Sequence, residues 1–517
     1  MKNEQKKQPL RKLLTNKLPD VGISAVAGIL LFLATPGLDL WFTAILSFFI
    51  LMWVFDRNKI KQWQAAFITG FIYYITGLSW MSVPMTVFGN APGWAGAILV
   101  LFAGVVGAAL FWAPYGYVMG RMKSPFLGGL LFIALEILKG KYLFGGLPWL
   151  NVAQTQHNNL PALQSTALFG EHGLSLLVVL LGSYLYRAVK YRKRKDVCAA
   201  AIIVLLTLGY GQLYLVLHRP SEPTHVARMV QTGILQEDKW DKSKRREIID
   251  TLNSRTLEAG NAPGNYDVMI LPETSFTVNP FVVPFVNDVV RNVSIKKPLI
   301  VGYDHSVKAD NETKLYNSAA LVENGSISQN YDKMRLAPFG EYFPLEKQLY
   351  PIRKFFFGTG PLFSPGVAPA IFEYEDLKIA PLICFEGVFS EVWRQRVDLG
   401  ANVFVLISND AWFGDSLGRT QHLAIDAVHA VEYGRPMLRV TQDGISALIE
   451  PTGKKTALFP EKKFHFEDVK FATESRKTLF SSFGYSWYLL AIVAYALFLL
   501  RQRKRDKKNI VKTNVKI

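Results

Sequence analysis

Hydrophobic residues fall into two regimes along this chain. Up to about residue 217, and again near the C-terminus, they run with few interruptions; between about 220 and 480 they come in short bursts separated by polar stretches. A helix needs about 20 apolar residues to cross a bilayer. Runs approaching that length lie at 22–37, 40–55, 63–83, 92–119, 125–139, 166–187, 197–217 and 482–500. The pattern predicts eight membrane-crossing helices, with seven as the alternative, because the second and fifth runs are short. The fourth is long enough to tilt or break. Three regions follow: a helical region with seven helices over 1–219, a water-facing domain over 220–480, and a last helix with a polar tail over 481–517.

The middle region has a different period. Short β-branched or aliphatic runs at 227–234, 266–273, 298–305, 315–323, 377–385, 402–410, 436–444 and 445–451 read as strands. Between them, 242–259, 280–295 and 419–434 have the spacing of amphipathic helices, with Leu423, Ala427 and Val431 on one face of the last. Apolar strands separated by helices indicate an α/β domain. The stretch 345–369 fits neither pattern. It is aromatic, broken by Gly and Pro, and reads as an insertion loop packed on the domain or as one that dips Phe355, Phe356 and Phe357 into a bilayer interface beside Arg353 and Lys354.

A net charge of +17 raises the question of nucleic acid, and its distribution answers it. Basic residues gather in the N-terminal tail, around Arg57, Lys59 and Lys61, at Arg121 and Lys123, between Arg187 and Lys195, and in the C-terminal tail. These are alternate connections of an eight-helix topology. The intervening ones, 35–40, 82–93 and 139–161, hold only Lys139 and Lys141. Such alternation follows the positive-inside rule, with both termini in the cytoplasm and the large domain, after the seventh helix, on the far side. No nucleic-acid partner is expected. The first apolar run ends in LATPGLDLW, a turn into a second span rather than a processing site. The two cysteines, Cys198 and Cys384, lie in different regions, so no disulfide is expected and Cys198 reads as a small buried hydrophobe.

Candidate chemistry is confined to the middle region. Cys384 ends an apolar strand run and is followed by Phe385, Glu386 and Gly387. A cysteine in that setting is ordinarily structural. It becomes a nucleophile when a base takes its proton and a cation meets the charge that develops. Glu273, after VMILP, can be that base, and Lys333, in YDKMRLAPFGEYFP, can stabilise an oxyanion. Asn409 and Asp410 end another strand and read as shaping a pocket rim. His422 and His429 lie seven apart on one helix and read as packing rather than as a Cys–His dyad. Glu136 and Trp149 could border a lipid entrance, although a capping or interfacial role fits better. No zinc, P-loop or dinucleotide motif is present, and neither metal nor cofactor is expected.

With Glu273, Lys333 and Cys384 in that order, the region from about 225 to 470 resembles the nitrilase superfamily. Its motifs LPETSF, YDKMRLAPFGEYFP, PLICFEG, ISNDAWFGDS and EYGRPMLRVTQDGISALI, with the flanking helices, resemble the apolipoprotein N-acyltransferases of Gram-negative bacteria over nearly the whole chain. The resemblance implies an αββα sandwich inserted in an eight-helix bundle of the inner membrane, with the catalytic domain in the periplasm. It implies Glu273 as general base, Lys333 as oxyanion cation and Cys384 as the acylated nucleophile. Glu341 resembles a glutamate that orients the lysine; alone it would read as a surface acid in a turn. Glu386 and Phe385 flank the nucleophile, Phe385 standing where a tyrosine is usual, so a hydroxyl there is missing. Trp240 resembles a tryptophan near the substrate, or else is a half-buried loop aromatic. The implied partners are a phospholipid acyl donor, phosphatidylethanolamine, and a diacylglyceryl apolipoprotein. A membrane-anchored amidase or hydrolase of the same superfamily is the alternative.

Overall fold

The computed structural model describes residues 2–89, 91–218, 221–239, 243–309, 312–356, 360, 362–490 and 492–493. Before residue 220 the chain is helical, as continuous apolar sequence requires where backbone groups must be satisfied within one segment. Helices cover Lys2–Leu33, Phe42–Arg57, Gln62–Gly77, Gly93–Gly107, Ala113–Met122, Pro125–Tyr142, Thr166–Tyr191, Arg194–Val204 and Tyr210–Leu217. Among the described residues three helical stretches are long and apolar enough to cross a membrane: Gly93–Met122, Thr166–Tyr191 and Arg194–Leu217. A fourth candidate, Gln62–Gly77 with Ser79–Phe88, is bent by 49°. The run expected at 63–83 is therefore broken. Pro84 begins a five-residue π turn there, and Pro114 follows another at Ala108–Trp112, where a missing N–H and a ring disturb the ladder. The last expected span, 482–500, is described only as far as residue 493. Cys198, expected to be buried, is exposed on the helix Arg194–Val204. An apolar environment suits that position if lipid covers it.

From residue 225 the chain forms two six-stranded sheets. The strands in chain order are β1 (His225–Gln231), β2 (Val268–Ile270), β3 (Leu299–Ala309), β4 (Glu312–Glu323), β5 (Ser326–Asp332), β6 (Phe372–Tyr374), β7 (Leu377–Ile383), β8 (Val403–Ser408), β9 (Met437–Thr441), β10 (Ala447–Ile449), β11 (Lys455–Thr456) and β12 (His465–Phe471). The first sheet has the order β12-β1-β2-β3-β4-β5 and the second β11-β10-β9-β8-β7-β6. Each has three parallel strands, β1–β3 and β7–β9, flanked by antiparallel ones.

Side-chain alternation gives the central strands two buried faces. Met229, Ile270, Ile300 and Leu321 of one sheet meet Ile383, Val405, Ile407 and Val440 of the other. The outer face of the first sheet, with Met269, Leu271 and Val301, packs on helices Arg245–Asn261 and Pro284–Ser294 through Leu252, Val290 and Val293. Phe404 and Leu406 turn away from the sandwich centre and join Leu423, Val428 and Val431 of helix Gly418–Tyr433. That cluster continues into Leu51, Tyr73, Trp112, Trp149 and Val178 of the helical region. One hydrophobic core therefore joins both regions, each buried large aliphatic side chain contributing roughly 1.5–3 kcal/mol.

Strands β5, β6, β11 and β12 were not expected. They lie on the outer side of each sheet and are polar or very short; SISQNYD of β5 is mostly exposed. Within 345–369, expected as a loop, the chain forms a helix, Glu346–Phe356, with an Arg353–Glu346 ion pair. The side chains of Phe355 and Phe356, and all of Phe357, lie outside the described residues, as does the proposed dip into the bilayer.

Candidate active site

The parallel strands end along one edge of each sheet, where α/β folds present functional groups. Glu273 lies three residues beyond β2, Lys333 directly follows β5, Cys384 directly follows β7 and Asn409 directly follows β8. Face-to-face packing of the sheets brings these four strand ends together. Lys333 Nζ donates to Glu341 Oε1 at 2.8 Å and lies 3.4 Å from Glu273 Oε1. Asn317, in β4, bridges the same two carboxylates, its Nδ2 donating to Glu273 Oε1 at 2.7 Å and to Glu341 Oε1 at 2.8 Å. The second oxygen of each acid accepts from the backbone: Glu341 Oε2 from Ala337 N at 2.7 Å, Glu273 Oε2 from Asn409 N at 2.8 Å. Lys333 is 1% exposed and Glu273 6%.

Burial and charge set the thiol's state. Burial raises the Cys384 pKa, Glu273 raises it further, and Lys333 opposes them; the result is well above an ordinary thiol. That direction favours the protonated thiol, and a thiol becomes nucleophilic only once a base has taken its proton. Burial alone would lower Lys333, but Glu341 and Glu273 outweigh it and hold the ammonium charged. A fixed cation and a carboxylate therefore flank the thiol.

Two residues here have left-handed backbone, Cys384 at φ 51° and Thr274 at φ 43°. Such geometry costs energy for non-glycine residues and more for a β-branched one. Cys384 opens a 3₁₀ turn over Cys384–Val388, which leaves the residue partly exposed while Ile383 and Glu386 are fully buried. Glu386 anchors that turn. Its Oε2 accepts from Ile383 N at 3.0 Å; its Oε1 accepts from Tyr331 Oη at 2.6 Å, Met334 N at 2.8 Å and Arg335 N at 3.1 Å. The carboxylate ties the Cys384 turn to the segment after Lys333. Phe385 is partly buried and packs edge-on against Phe389 at 5.0 Å. Trp240 lies outside the described residues.

Other expectations need correction. Asp410 is no rim residue: it is fully buried, accepts from Ser408 Oγ at 2.7 Å and pairs with Arg439 and, at 3.1 Å, with His422 Nδ1. Burial opposes its ionisation, but Arg439 and His422 hold its pKa well below the usual carboxylate range. Trp149 is 1% exposed and donates to Gln421 Oε1 at 2.7 Å, inside the seam between helical region and sandwich. Glu136 needs no such correction: it accepts from Val152 N at 2.8 Å and so caps the turn Val152–Gln156, the role its sequence setting favoured. His429 Nδ1 lies 2.7 Å from Glu432 Oε2, in packing as expected. Asn317 was missed. An asparagine inside the apolar run LYNSAALVE was the available signal, since buried polar groups need partners.

A two-sheet sandwich, continuous with apolar helices, places an acid, a lysine and a cysteine at adjoining strand ends. Residues 227–464 match the family described as carbon-nitrogen hydrolase, and residues 27–184 match the apolipoprotein N-acyltransferase N-terminal domain. The apolipoprotein N-acyltransferase of Haemophilus ducreyi is 31% identical over 496 residues, 92% of this chain and 95% of its own. That of Geobacter metallireducens is 30% identical over 509 residues, 94% and 96% of the two chains. A solved nitrilase-superfamily amidase from Nesterenkonia AN1 is similar over 48% of this chain and 92% of its own, at 16% identity and a TM-score of 0.36. The chain belongs to the apolipoprotein N-acyltransferase family.

Proposed function

We propose that the protein moves an acyl chain from a membrane phospholipid, phosphatidylethanolamine, to the α-amino group of the N-terminal diacylglyceryl-cysteine of an apolipoprotein. In the first half-reaction Glu273 takes the Cys384 proton as the sulfur attacks the ester carbonyl. Lys333 meets the oxyanion, the tetrahedral intermediate collapses, and the lysophospholipid leaves with a proton returned from Glu273. In the second, the amine attacks the thioester, Glu273 removes a proton from nitrogen, and the C–S bond breaks as Glu273 returns that proton to the Cys384 sulfur. Glu341 holds Lys333 in place, Glu386 fixes the Cys384 turn, and Phe385 and Trp240 border the substrate. The observation that carries this reading is the shared contact of Lys333 and Asn317 with both Glu273 and Glu341, at strand ends that adjoin that of Cys384.

The remaining parts follow from where the substrates live. Both are anchored in a bilayer, so an enzyme held at the same surface meets them by lateral diffusion. We assign eight membrane helices, seven in 1–219 and one in 481–517. Residues 220–480 form the catalytic domain on the periplasmic side of the inner membrane. Intact-mass measurement of the detergent-solubilised protein with phosphatidylethanolamine tests the chemistry. The expected result is one acyl adduct on Cys384 that persists in water and is discharged by a diacylglyceryl-cysteine peptide. Rapid loss to water without amine would make the protein a hydrolase instead.

A further inference from the structure

Glu273 is gripped from a direction the mechanism above does not use. A short helix, Gln236–Lys239, lies beside the candidate site. Lys239 is 2% exposed and donates from Nζ to the carbonyl of Thr274 at 2.8 Å and to Gln442 Oε1. Gln442 is itself fixed, its N donating to Ser408 O at 2.9 Å and its Nε2 to Ile234 O at 3.2 Å. Gln236 Oε1 accepts from Asn409 Nδ2 at 2.8 Å, and Asn409 is the residue whose N–H holds Glu273 Oε2. The four-residue helix thus reaches Glu273 at both ends, its carboxylate through Asn409 and its backbone through Thr274.

The backbone end is where positioning is needed. Thr274 is β-branched and sits at φ 43°, a conformation that persists only when its surroundings over-determine it. Ser275 N donates to Gly302 O at 2.8 Å on the far side of the same turn. Lys239 supplies the near side. A buried lysine is costly; burial pushes this one down to about 8, while Asp304 and Glu273 favour its charge. Among the described residues, Lys333, Glu341 and Cys384 also face Glu273, and Asp410 and Arg439 face Cys384 in turn. We infer that Lys239, assisted by Gln236, is a positioning residue that sets the direction of the Glu273 carboxylate through the strained Thr274 turn and supplies a second cation beside it. This rests on the reading of Glu273 as the base.

The test is single-turnover acylation of Cys384 by phosphatidylethanolamine in detergent micelles, with the lipid concentration varied, in the full-length protein. Misplacing a reacting group by about 1 Å costs on the order of 10²-fold, so Lys239→Met should lower the maximal acylation rate about 10²-fold while half-saturation by lipid stays within about threefold. Lys239→Arg keeps the charge and should recover part of the rate. A packing role would lower thermal stability and slow Lys239→Arg as much as Lys239→Met; that result, or a wild-type rate for Lys239→Met, overturns the inference. Should the Met variant not accumulate, Lys239→Gln against Lys239→Arg makes the same comparison. Glu273→Gln separates the two readings: near-wild-type acylation there removes Glu273 as base, whereas a dead Glu273→Gln beside a normal Lys239→Met removes only Lys239.

Discussion

At the scale of single residues, the cluster makes geometry as important as charge. Lys333 is 1% exposed, with acids 2.8 and 3.4 Å from its ammonium. Arginine would retain the charge but place a planar fork where a compact group fits. Lys333→Arg is therefore expected to acylate Cys384 nearly as poorly as Lys333→Ala, on the order of 10²-fold or more below wild type, because an oxyanion needs its donor about 3 Å away. Single-turnover acylation measures it, and near-wild-type transfer by the Arg variant would remove Lys333 from the reaction. Glu386→Gln is a subtler change. Each carboxylate oxygen accepts from at least one donor, so one donor must face the new NH₂ group. A loss of about 1–3 kcal/mol of stability is expected, as for an unsatisfied buried donor, with slower acylation because the Cys384 turn loosens. Thermal unfolding and acylation on the same sample check both.

At the scale of elements, the sites depend on how closely strands approach one another. A Cβ added at Gly302 of β3 would lie 2.5 Å from Pro272 O and 2.7 Å from Glu273 Cα. Gly302→Ala should shift the Glu273 turn and lower acylation by about 10²-fold, with less effect on substrate binding than on rate. A kcat-against-KM comparison decides that. Helix Gly418–Tyr433 carries a different liability. Burial would lower His429, but Glu432 raises it to about 9, with Glu171 adding to the effect. His429 Nδ1 and Nε2 meet Glu432 Oε2 and the Val388 carbonyl, an arrangement for two N–H donors. A pKa raised by folding stabilises the native state fully below the ordinary 6.5, and that contribution is lost as pH rises through about 9. Thermal unfolding between pH 6 and 10 should show this decline, and His429→Gln should flatten it. Equal slopes in both proteins would mean that the histidine is neutral in the fold.

For the whole molecule, one core runs from the helical region into the sandwich. Gln421 bridges it, accepting from Trp80 Nε1 at 3.0 Å and Trp149 Nε1 at 2.7 Å and donating to Gly77 O at 3.1 Å. Orientation is testable independently of chemistry. Reporter fusions at Lys193 and Lys508 are expected to read as cytoplasmic, while those after Leu217 and before Ser481 read as periplasmic. A cytoplasmic signal from residue 300 would reverse the compartment and remove the apolipoprotein as substrate.

The scales differ in how much the sequence disclosed. Composition and period were enough for the division into apolar helices and an α/β region, because each rests on local patterns: long apolar runs, and short strand runs alternating with amphipathic helices. Motifs and their resemblance to a known family also pointed to Glu273, Lys333 and Cys384; only Glu273 and Cys384 close apolar runs legible in the sequence, whereas the strand before Lys333 is polar and was not. Local pattern could not reveal strands such as β12, whose HFEDVKF mixes polar and apolar residues on both faces and pairs with β1 more than 200 residues away. Nor could it show that Asn317 joins two acids, that Asp410 is buried against Arg439, or that Lys239 reaches behind Glu273. Those relations exist only after two sheets pack face to face and bring together strand ends far apart in the chain. A residue's type limits which bonds it can make; the packed sheets decide which partners lie within 3 Å.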